Sequence, residues 1–480
     1  MANIIFIQNS WFDLHGLMYT SGLLKQNGHK SQLFIEPSEK NLIELLRKLS
    51  PDFVGFSLIS IERLWALEWA YRVKKELNAT TIFGGIDPTV CPDLIEHHSV
   101  DIVCRGEGEF ALLELMDKFE ATGEVATDIQ NLWLKKNGKV IKNSIRPLVE
   151  DLDTLLPIDR DLYYNRYKFL KNYPIKRFMI GRGCPFNCAY CCNKILRDLY
   201  LGKGRYIRRH SVYRIIEEIK RVEKKFGIKM IDFIDDDFIS DKQWLQSFLE
   251  RYSNEIKLPF SCLVRIDLVD EEVAALLKQS GCTTVSFGIE SANEALRKNI
   301  LEKRLSDDAI FHGASLLRKH GLRMNAYNML NIPGETLEDG FQTVNLNVKI
   351  KTDFPWCSIF QPFPGTKYWD SLITNKSLNE NTRLTAKLNF YSSSLVHQKD
   401  SRSLMNLEKL FFCAVKFPFL QSVIRRLVRF PPNKIFQYLF LIAFAYRHSR
   451  ANNISIWEEI KFNMRHTRNY FKSGKINNSI

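Results

Sequence analysis

The chain has 480 residues, of which 45% are hydrophobic and 25% are charged, and its formal net charge is +14. The length predicts more than one domain, and the composition excludes a disordered or fibrous protein. No apolar run reaches the roughly 18–20 residues of a transmembrane helix. The start, MANIIFIQNSW, lacks the basic region and cleavage site of a signal peptide. We therefore expect a cytoplasmic protein.

The first part of the chain alternates short apolar runs with amphipathic stretches. The runs are Ile4–Ile7, Gln32–Ile35, Phe53–Leu58, Thr81–Phe83 and Ile102–Cys104. This alternation predicts a doubly wound α/β domain with a parallel sheet over residues 1–125. Ligands of such sheets bind beyond the carboxyl ends of the strands, where this sequence has Gly-rich loops. Glycine is also common in ordinary tight turns, so these loops alone do not define a site.

The rest of the chain falls into three predicted segments. Residues 126–174 form a connector, and the Asn137–Gly138 pair in LWLKKNGKVI predicts a two-residue hairpin. Residues 175–395 resume the strand–helix alternation, which predicts a partial (β/α)6 barrel with its chemistry at the carboxyl ends of the strands. Its six candidate strands are Arg177–Ile180, Met230–Ile234, Phe260–Leu263, Thr284–Phe287, Arg323–Met329 and Trp356–Phe360. Residues 396–480 predict a helical region interrupted by prolines.

Four of the ten cysteines lie within GCPFNCAYCCN. The spacing of Cys184, Cys188 and Cys191 lets three thiolates on one loop bind three irons of a [4Fe–4S] cluster, which leaves the fourth iron open to a substrate. Two alternatives are a structural zinc site, which usually has two separated CxxC pairs, and buried structural cysteines. Spacing alone does not exclude Cys192 as a ligand.

This loop, placed after the first strand of a predicted barrel, resembles that of the radical S-adenosylmethionine (SAM) superfamily. The resemblance implies that the open iron binds the methionine part of SAM, that electron transfer yields the 5′-deoxyadenosyl radical, and that Cys192 is not a ligand. It also implies that Tyr190 packs near the adenine, which suits the stacking of an aromatic ring on a purine.

Segments after the cysteine loop extend the resemblance. They are IDFIDDDF, LVRIDLVD, FGIESAN and MLNIPGET, and they imply SAM contacts by Asp235, Asp236, Arg265, Glu290 and Gly334. Each residue also has an ordinary structural interpretation. The aspartates can precede a helix that opens at Ser240 with Gln243 in a capping box. Arg265 and Glu290 can form internal ion pairs, and Thr336 with Asp339 can cap a helix.

The amino-terminal phrases PDFVGFS, FGGIDPTVCPD and VCRGEGE resemble the cobalamin-binding domain of the B12-binding radical SAM family. The resemblance implies cobalamin contacts by Ser57, Gly84, Gly85, Arg105, Gly106 and Glu107. Cobalamin domains that supply a histidine to cobalt use an Asp-x-His-x-x-Gly loop. This chain has Asp13 and His15 but Met18 in place of the glycine. We therefore expect no histidine ligand to cobalt.

Residues 401–480 contain 14 Lys/Arg and 3 Asp/Glu, a charge of +11 mixed with many aromatic and aliphatic residues. Three interpretations stay open. The segment can be a helical cap on the barrel, a peripheral contact with an anionic membrane or lipid substrate, or a nucleic-acid contact, which the lack of a known RNA-binding module disfavours.

The resemblance implies an enzyme with a [4Fe–4S] cluster, SAM and cobalamin that methylates an unactivated carbon of an unknown substrate. Its electron donor would be a protein such as flavodoxin or ferredoxin. One alternative is a radical rearrangement or oxidative ring closure like that of the anaerobic porphyrin cyclase. Others are an RNA methylthiotransferase, disfavoured because Cys91 and Cys104 do not form a second cysteine triad, and a non-catalytic cluster-bearing nucleic-acid-binding protein.

Overall fold

The computed structural model describes residues 1–77, 79–375, 385–391, 393–452, 454, 455 and 457. The chain divides into two compact units. The first comprises Met1–Asn172, Tyr190–Arg208 and Phe363–Lys387, and the second comprises Tyr173–Ala189, Arg209–Pro362 and Leu388–Ile480. The part of the predicted helical tail after residue 457 lies outside the described residues.

The first unit contains a seven-stranded sheet in the order β2-β1-β3-β4-β5-β6-β7. Strands β1 to β5 are parallel, β6 runs antiparallel to β5, and β6 and β7 form a hairpin. The strands are β1 Asn3–Gln8, β2 Lys30–Ile35, β3 Phe53–Ser57, β4 Thr80–Gly84, β5 Ile102–Cys104, β6 Leu132–Lys136 and β7 Lys139–Lys142. The predicted doubly wound parallel sheet is confirmed, and the hairpin turns at Asn137 and Gly138 with φ of 52° and 72°.

Helices of the first unit follow its strands, and buried aliphatic and aromatic side chains from both form its core. They are α1 His15–Gln26, α2 Leu42–Leu49, α3 Arg63–Leu77, α4 Ile86–Val90, α5 Glu109–Thr122, α6 Asp161–Tyr164, α7 Lys168–Lys171, α8 Cys192–Leu199 and α15 Lys367–Thr374. The predicted connector thus contributes its hairpin, Leu132–Lys142, to the edge of this sheet.

The second unit contains a six-stranded, wholly parallel sheet in the order β8-β11-β12-β13-β14-β15. Its strands are β8 Ile175–Phe178, β11 Met230–Phe233, β12 Phe260–Leu263, β13 Cys282–Glu290, β14 Arg323–Leu330 and β15 Phe354–Ile359. The two-residue strands β9 (Gly181–Arg182) and β10 (Arg208–Arg209) lie outside both large sheets. The predicted partial barrel of six strand–helix units is confirmed.

Amphipathic helices cover this sheet. They are α9 Val212–Phe226, α10 Lys242–Glu255, α11 Glu271–Gln279, α12 Glu294–Asn299, α13 Asp307–Lys319 and α14 Leu337–Lys349. Several begin at a side-chain cap: Ser211 opens α9, and Asp241 opens α10 by accepting the Trp244 N–H at 3.1 Å. Helix α10 therefore begins after Ser240, and the suggested capping box with Gln243 is wrong. Thr336 and Asp339 do form the suggested capping box of α14.

The carboxyl-terminal region is helical, as predicted, with α16 Ser401–Lys416, α17 Gln421–Leu427 and α18 Lys434–Ala451. Prolines mark its interruptions, because Pro418 opens a 3-10 turn after α16, and Pro431 and Pro432 separate α17 from α18. The buried side chains of α16, such as Leu404 and Phe411, form one apolar cluster with strand β15 and helix α14. This helix is therefore part of the core of the second unit.

Candidate functional site

The six residues predicted to contact cobalamin lie at one edge of the first sheet. Ser57 and Gly84 are the last residues of β3 and β4, Gly85 follows Gly84, and Arg105–Glu107 follow β5. The carboxyl ends of parallel strands meet at the same edge, so the fold brings these loops together. Their contacts with cobalamin stay a prediction.

Gly85 is required by close packing between two of these loops. It has φ +92°, and a Cβ there would lie 2.6 Å from the Leu58 nitrogen and 2.8 Å from the Leu58 oxygen. The loops are joined through the backbone, because the Leu58 N–H donates to the Gly84 oxygen and the Asp87 N–H to the Leu58 oxygen. The Gly84–Gly85 pair therefore holds the β3 and β4 loops together.

A buried ion pair locks the same two loops. The Arg63 guanidinium lies 2.5 and 2.8 Å from the Asp87 carboxylate, and both side chains are almost wholly excluded from solvent. Arg63 begins α3 after the β3 loop, and Asp87 lies in α4 after the β4 loop. Breaking a buried pair leaves an uncompensated charge, so this contact fixes the loop geometry.

The loop after β5 is filled by side chains of the 190–208 segment. Gly106 has φ +73°, and a Cβ there would lie 1.8 Å from the Tyr200 hydroxyl, which accepts the Glu107 N–H at 2.8 Å. The Glu107 carboxylate pairs with Arg208 at 2.6 Å. Arg105 lies with its guanidinium 4.7 Å from the centre of the Trp133 ring, and burial lowers the pKa of this guanidinium. The RGE triplet is thus held by contacts with Tyr200, Arg208 and Trp133.

Sequence reasoning missed three apolar side chains at this edge. Phe12, Ile59 and Ile86 follow β1, β3 and β4, and they are 50%, 40% and 40% exposed. Large apolar residues on loops beyond the strand ends suit the face of a bulky macrocycle. By contrast, His15 is buried in the first turn of α1. The expected absence of a histidine ligand to cobalt stays a prediction.

The predicted cluster ligands differ from the scattered cysteines in their accessibility. Cys184, Cys188 and Cys191 are partly exposed, whereas five of the six scattered cysteines are buried. Cys191 also precedes α8 and accepts the Asn193 N–H at 3.5 Å, so its sulfur lies at a helix amino terminus, where negative charge is favoured.

Among the residues that the structure describes, no three His, Cys, Asp or Glu side chains converge as they would around a metal ion. The cluster assignment therefore depends on the spacing and exposure of the three thiols. Cys192 is the first residue of α8 and is also partly exposed, so exposure does not separate it from Cys191.

The three successive aspartates after β11 have different environments. Asp235 is buried, and its carboxylate accepts the Ile180 N–H at 3.0 Å and the Gly181 N–H at 2.8 Å. Burial raises its pKa to about 7. Asp236 is exposed, and Asp237 accepts the Ser240 N–H at 3.0 Å. Asp235 therefore anchors the start of the cysteine loop, and Asp236 is open to solvent.

Arg265 contacts the cysteine loop directly. Its guanidinium lies 4.1 Å from the centre of the Phe186 ring, between Cys184 and Cys188 in sequence. It also pairs with Asp267 at 2.8 Å and donates to the Arg304 oxygen at 2.7 Å. The suggested internal ion pair is thus present, and the same side chain supports the loop.

Glu290 forms the other suggested ion pair. Its carboxylate lies 2.7 Å from the Lys303 ammonium, and both side chains are nearly buried. Glu290 also has φ 72°, a rarely populated conformation that is common at ligand sites. A Cβ at Gly288 would lie 2.0 Å from the Glu290 Oε1 and 2.6 Å from the Lys303 Nζ. Sequence reasoning missed Lys303 and Gly288, because neither lies in a capping or metal-binding pattern.

The IPGET segment after β14 is held by the carboxyl-terminal region. The Gly334 N–H donates to the Gln398 Oε1 at 2.9 Å, and Gly334 needs its flexibility for a φ of +83°. Glu335 is buried and accepts the Ile332 N–H at 3.1 Å, and burial raises its pKa to about 8. SAM contact by Tyr190, which is partly exposed, and by Gly334 stays a prediction.

Comparisons with known proteins agree with both sheets. The B12 binding domain profile matches residues 7–116, and the radical SAM superfamily profile matches residues 178–346. An uncharacterised methyltransferase of Pyrococcus horikoshii is 30% identical over 376 residues, covering 76% of this chain and 79% of the relative. The anaerobic magnesium-protoporphyrin IX monomethyl ester cyclase of Rubrivivax gelatinosus is 25% identical over 375 residues, which is 74% of this chain and 65% of the cyclase.

A solved structure shares the fold. It is the radical SAM methyltransferase TsrM of Kitasatospora setae with cobalamin and a [4Fe–4S] cluster bound, with a TM-score of 0.64 and 16% identity over 78% of each chain. Together these findings define a two-module radical enzyme. The chain belongs to the B12-binding radical SAM family, whose relatives include methyltransferases and the anaerobic cyclase.

The cofactors of this enzyme are a [4Fe–4S] cluster, SAM and cobalamin. The residues present fit them. Three partly exposed thiols follow β8 and β9 in the chain, and exposed apolar residues and Gly-rich loops follow the parallel strands of the first unit. Among the described residues, no helix is long and apolar enough to cross a membrane.

Proposed function

We propose that this enzyme transfers a methyl group to an unactivated carbon of its substrate and reductively cleaves SAM in doing so. One observation carries the proposal: the accessible Cys184, Cys188 and Cys191 loop and a B12-binding fold occur in one chain. When bound, the cluster and SAM supply a carbon radical, and cobalamin supplies a transferable methyl group.

The role of the chain's own residues is to hold the loops at the strand ends in place. Asp235 holds the backbone at the start of the cysteine loop, and Arg265 stacks on Phe186 in its middle. The Lys303 ammonium orients the Glu290 carboxylate. In our proposal this carboxylate also accepts a hydrogen bond from a polar group of SAM. Such supporting contacts keep a site in its productive geometry.

The experiment is anaerobic reconstitution of the full-length protein with iron, sulfide and cobalamin, followed by mass analysis of products formed from SAM. Formation of S-adenosylhomocysteine together with 5′-deoxyadenosine supports methyl transfer. Deoxyadenosine without S-adenosylhomocysteine contradicts it. Cys188→Ala serves as the inactive control, and Cys192→Ala is its matched partner from the same loop. A reduced flavodoxin or ferredoxin is the proposed electron donor and should replace a chemical reductant.

Oxidative ring closure is the second candidate, favoured by the similarity to the anaerobic cyclase. It predicts deoxyadenosine alone when a porphyrin ester is added as substrate. We disfavour the methylthiotransferase alternative, because Cys91, after α4, and Cys104, in β5, are both buried.

A further inference from the structure

The carboxyl-terminal helices expose an unusual amount of apolar surface. More than half of the exposed large apolar side chains among the described residues lie between Phe417 and Trp457. Five of them lie on helix α18 at positions i, i+3, i+4, i+7 and i+11, which share one side of the helix. This apolar face consists of Ile435, Tyr438, Leu439, Ile442 and Tyr446.

The opposite side of α18 is packed against the second unit. The Phe440 ring lies 5.5 Å from the Trp356 ring, centre to centre, and the Arg447 guanidinium lies 4.2 Å from the centre of the same ring. Arg447 also donates to the Asn325 Oδ1 at 3.0 Å. The helix is therefore apolar on both sides, although a helix of this kind is normally buried all round. Internal packing explains one side, and on the apolar face the one contact between aromatic rings is that of Tyr446, whose ring lies 5.9 Å from the Phe412 ring among the described residues.

Basic residues accompany the apolar face, and acidic residues do not. The sequence from 409 to 457 contains no Asp or Glu. Exposed Lys434 and Arg450 stand at the two ends of α18, and exposed Arg426 and Arg429 precede it. Arg426, Arg429 and Lys434 have no carboxylate partner within the described part of the chain, so their charge is available to an external anion.

We propose that the apolar face of α18 docks on the surface of an anionic lipid bilayer. An interfacial helix combines an apolar side with flanking basic residues, because the side chains enter the acyl boundary while Lys and Arg meet the anionic headgroups. The charge complementarity selects a lipid surface over an ordinary protein groove. Helix α18, at about 27 Å long, would lie in the plane of the membrane, since no described helix is able to span it.

The test is co-sedimentation of the full-length protein with vesicles, either of phosphatidylcholine alone or of phosphatidylcholine mixed with phosphatidylglycerol. We expect binding to the mixed vesicles that weakens as salt screens the headgroup charge. Ile442→Asp and Tyr438→Asp should each lower the affinity roughly tenfold or more, since each removes an apolar side chain that docking would bury. Lys434→Gln should lower it about fivefold.

Tyr213→Asp is the matched control, because Tyr213 is 64% exposed and Tyr438 is 60% exposed, yet Tyr213 lies on α9. It should bind vesicles as the wild type does. Full binding by Tyr438→Asp, or equal binding to both kinds of vesicle, overturns the proposal. The proposal is also overturned if the wild-type protein is a dimer that binds no vesicles and if Ile442→Asp makes it a monomer. The apolar face would then contact a second copy of the chain. None of these readouts depends on methyl transfer.

Discussion

Replacing Asp235 tests whether this buried carboxyl holds the cysteine loop. In Asp235→Ala the backbone amides of Ile180 and Gly181 lose their acceptor inside the protein. A buried donor left unsatisfied costs roughly 1–3 kcal/mol, so at acid pH, where the carboxyl is protonated, the two together should lower the free energy of unfolding by about 2–6 kcal/mol. In Asp235→Asn the Oδ1 can still accept both N–H groups, so the loop should keep its conformation.

The two variants also differ from the wild type in their pH dependence. Burial raises the pKa of Asp235 from 3.8 to about 7 in the folded protein. The carboxyl is then protonated when folded but ionised when unfolded between these values, so its contribution to stability is complete below about pH 4 and is lost as the pH rises toward 7. The shift of about three pH units corresponds to roughly 4 kcal/mol. Asp235→Asn cannot ionise and should gain on the wild type by this order of magnitude at pH 8.

The assay combines thermal unfolding of the full-length variants at pH 5 and pH 8 with hydrogen exchange of the peptide that contains residues 180 and 181. Asp236→Asn is the control, because the neighbouring carboxyl is exposed. The reasoning is refuted if Asp235→Ala protects those amides as well as the wild type does, or if the advantage of Asp235→Asn does not grow with pH. SAM affinity separates a direct contact of Asp235 with SAM from a role in positioning the cysteine loop. A direct contact predicts that Asp235→Asn binds SAM more weakly, and a purely positioning role predicts unchanged binding.

Three further predictions concern the site. Cys188→Ala should lose cluster iron and deoxyadenosine formation, whereas Cys192→Ala should keep both. Iron analysis and electron paramagnetic resonance measure the cluster, and a full iron content in Cys188→Ala would exclude Cys188 as a ligand. Gly288→Ala forces a Cβ into the buried ion pair behind it and should destabilise the protein by about 1–3 kcal/mol. Gly16→Ala is the control and should leave the stability unchanged, because no atom lies within 4 Å of the added Cβ. Equal melting temperatures of the Gly288→Ala and Gly16→Ala variants would contradict this account. Asp87→Asn leaves a buried guanidinium without its counter-charge and should cost about 3–5 kcal/mol in thermal unfolding; an unchanged melting temperature and cobalamin spectrum would show that the pair does not fix the loops.

The sequence allowed the fold class to be predicted because its determinants are local. Periodicity of apolar residues located the strands of both sheets, and the Asn137–Gly138 pair located the hairpin turn, where both residues have positive φ. Where the hairpin joins the sheet was not predictable from its own residues. It pairs with β5, about thirty positions earlier in the chain, and that pairing depends on tertiary packing.

The candidate site shows the same division. The spacing and the family resemblance together predicted the three-cysteine loop, since its candidate ligands are local in sequence. The partners of the polar site residues were not predictable, because they come from distant segments. Asp235 binds amides 54 and 55 positions away, and the Tyr200 hydroxyl over Gly106 comes from another segment altogether. Motif resemblance can indicate which residues are polar and near the site, but it does not tell whether protein atoms already satisfy them.

Both units use the same device at the strand ends. Each has a nearly buried ion pair near a glycine at which an added Cβ would lie too close to neighbouring atoms. The ion pairs are Arg63–Asp87 near Gly85 in the first unit and Lys303–Glu290 next to Gly288 in the second. A buried pair is weak as a source of stability but strong as a constraint, because separating its members is costly. Loops held in this way need little reordering when a cofactor binds, which lowers the entropic cost of binding. We therefore predict that the strand-end loops of both units keep their conformation when the cofactors bind.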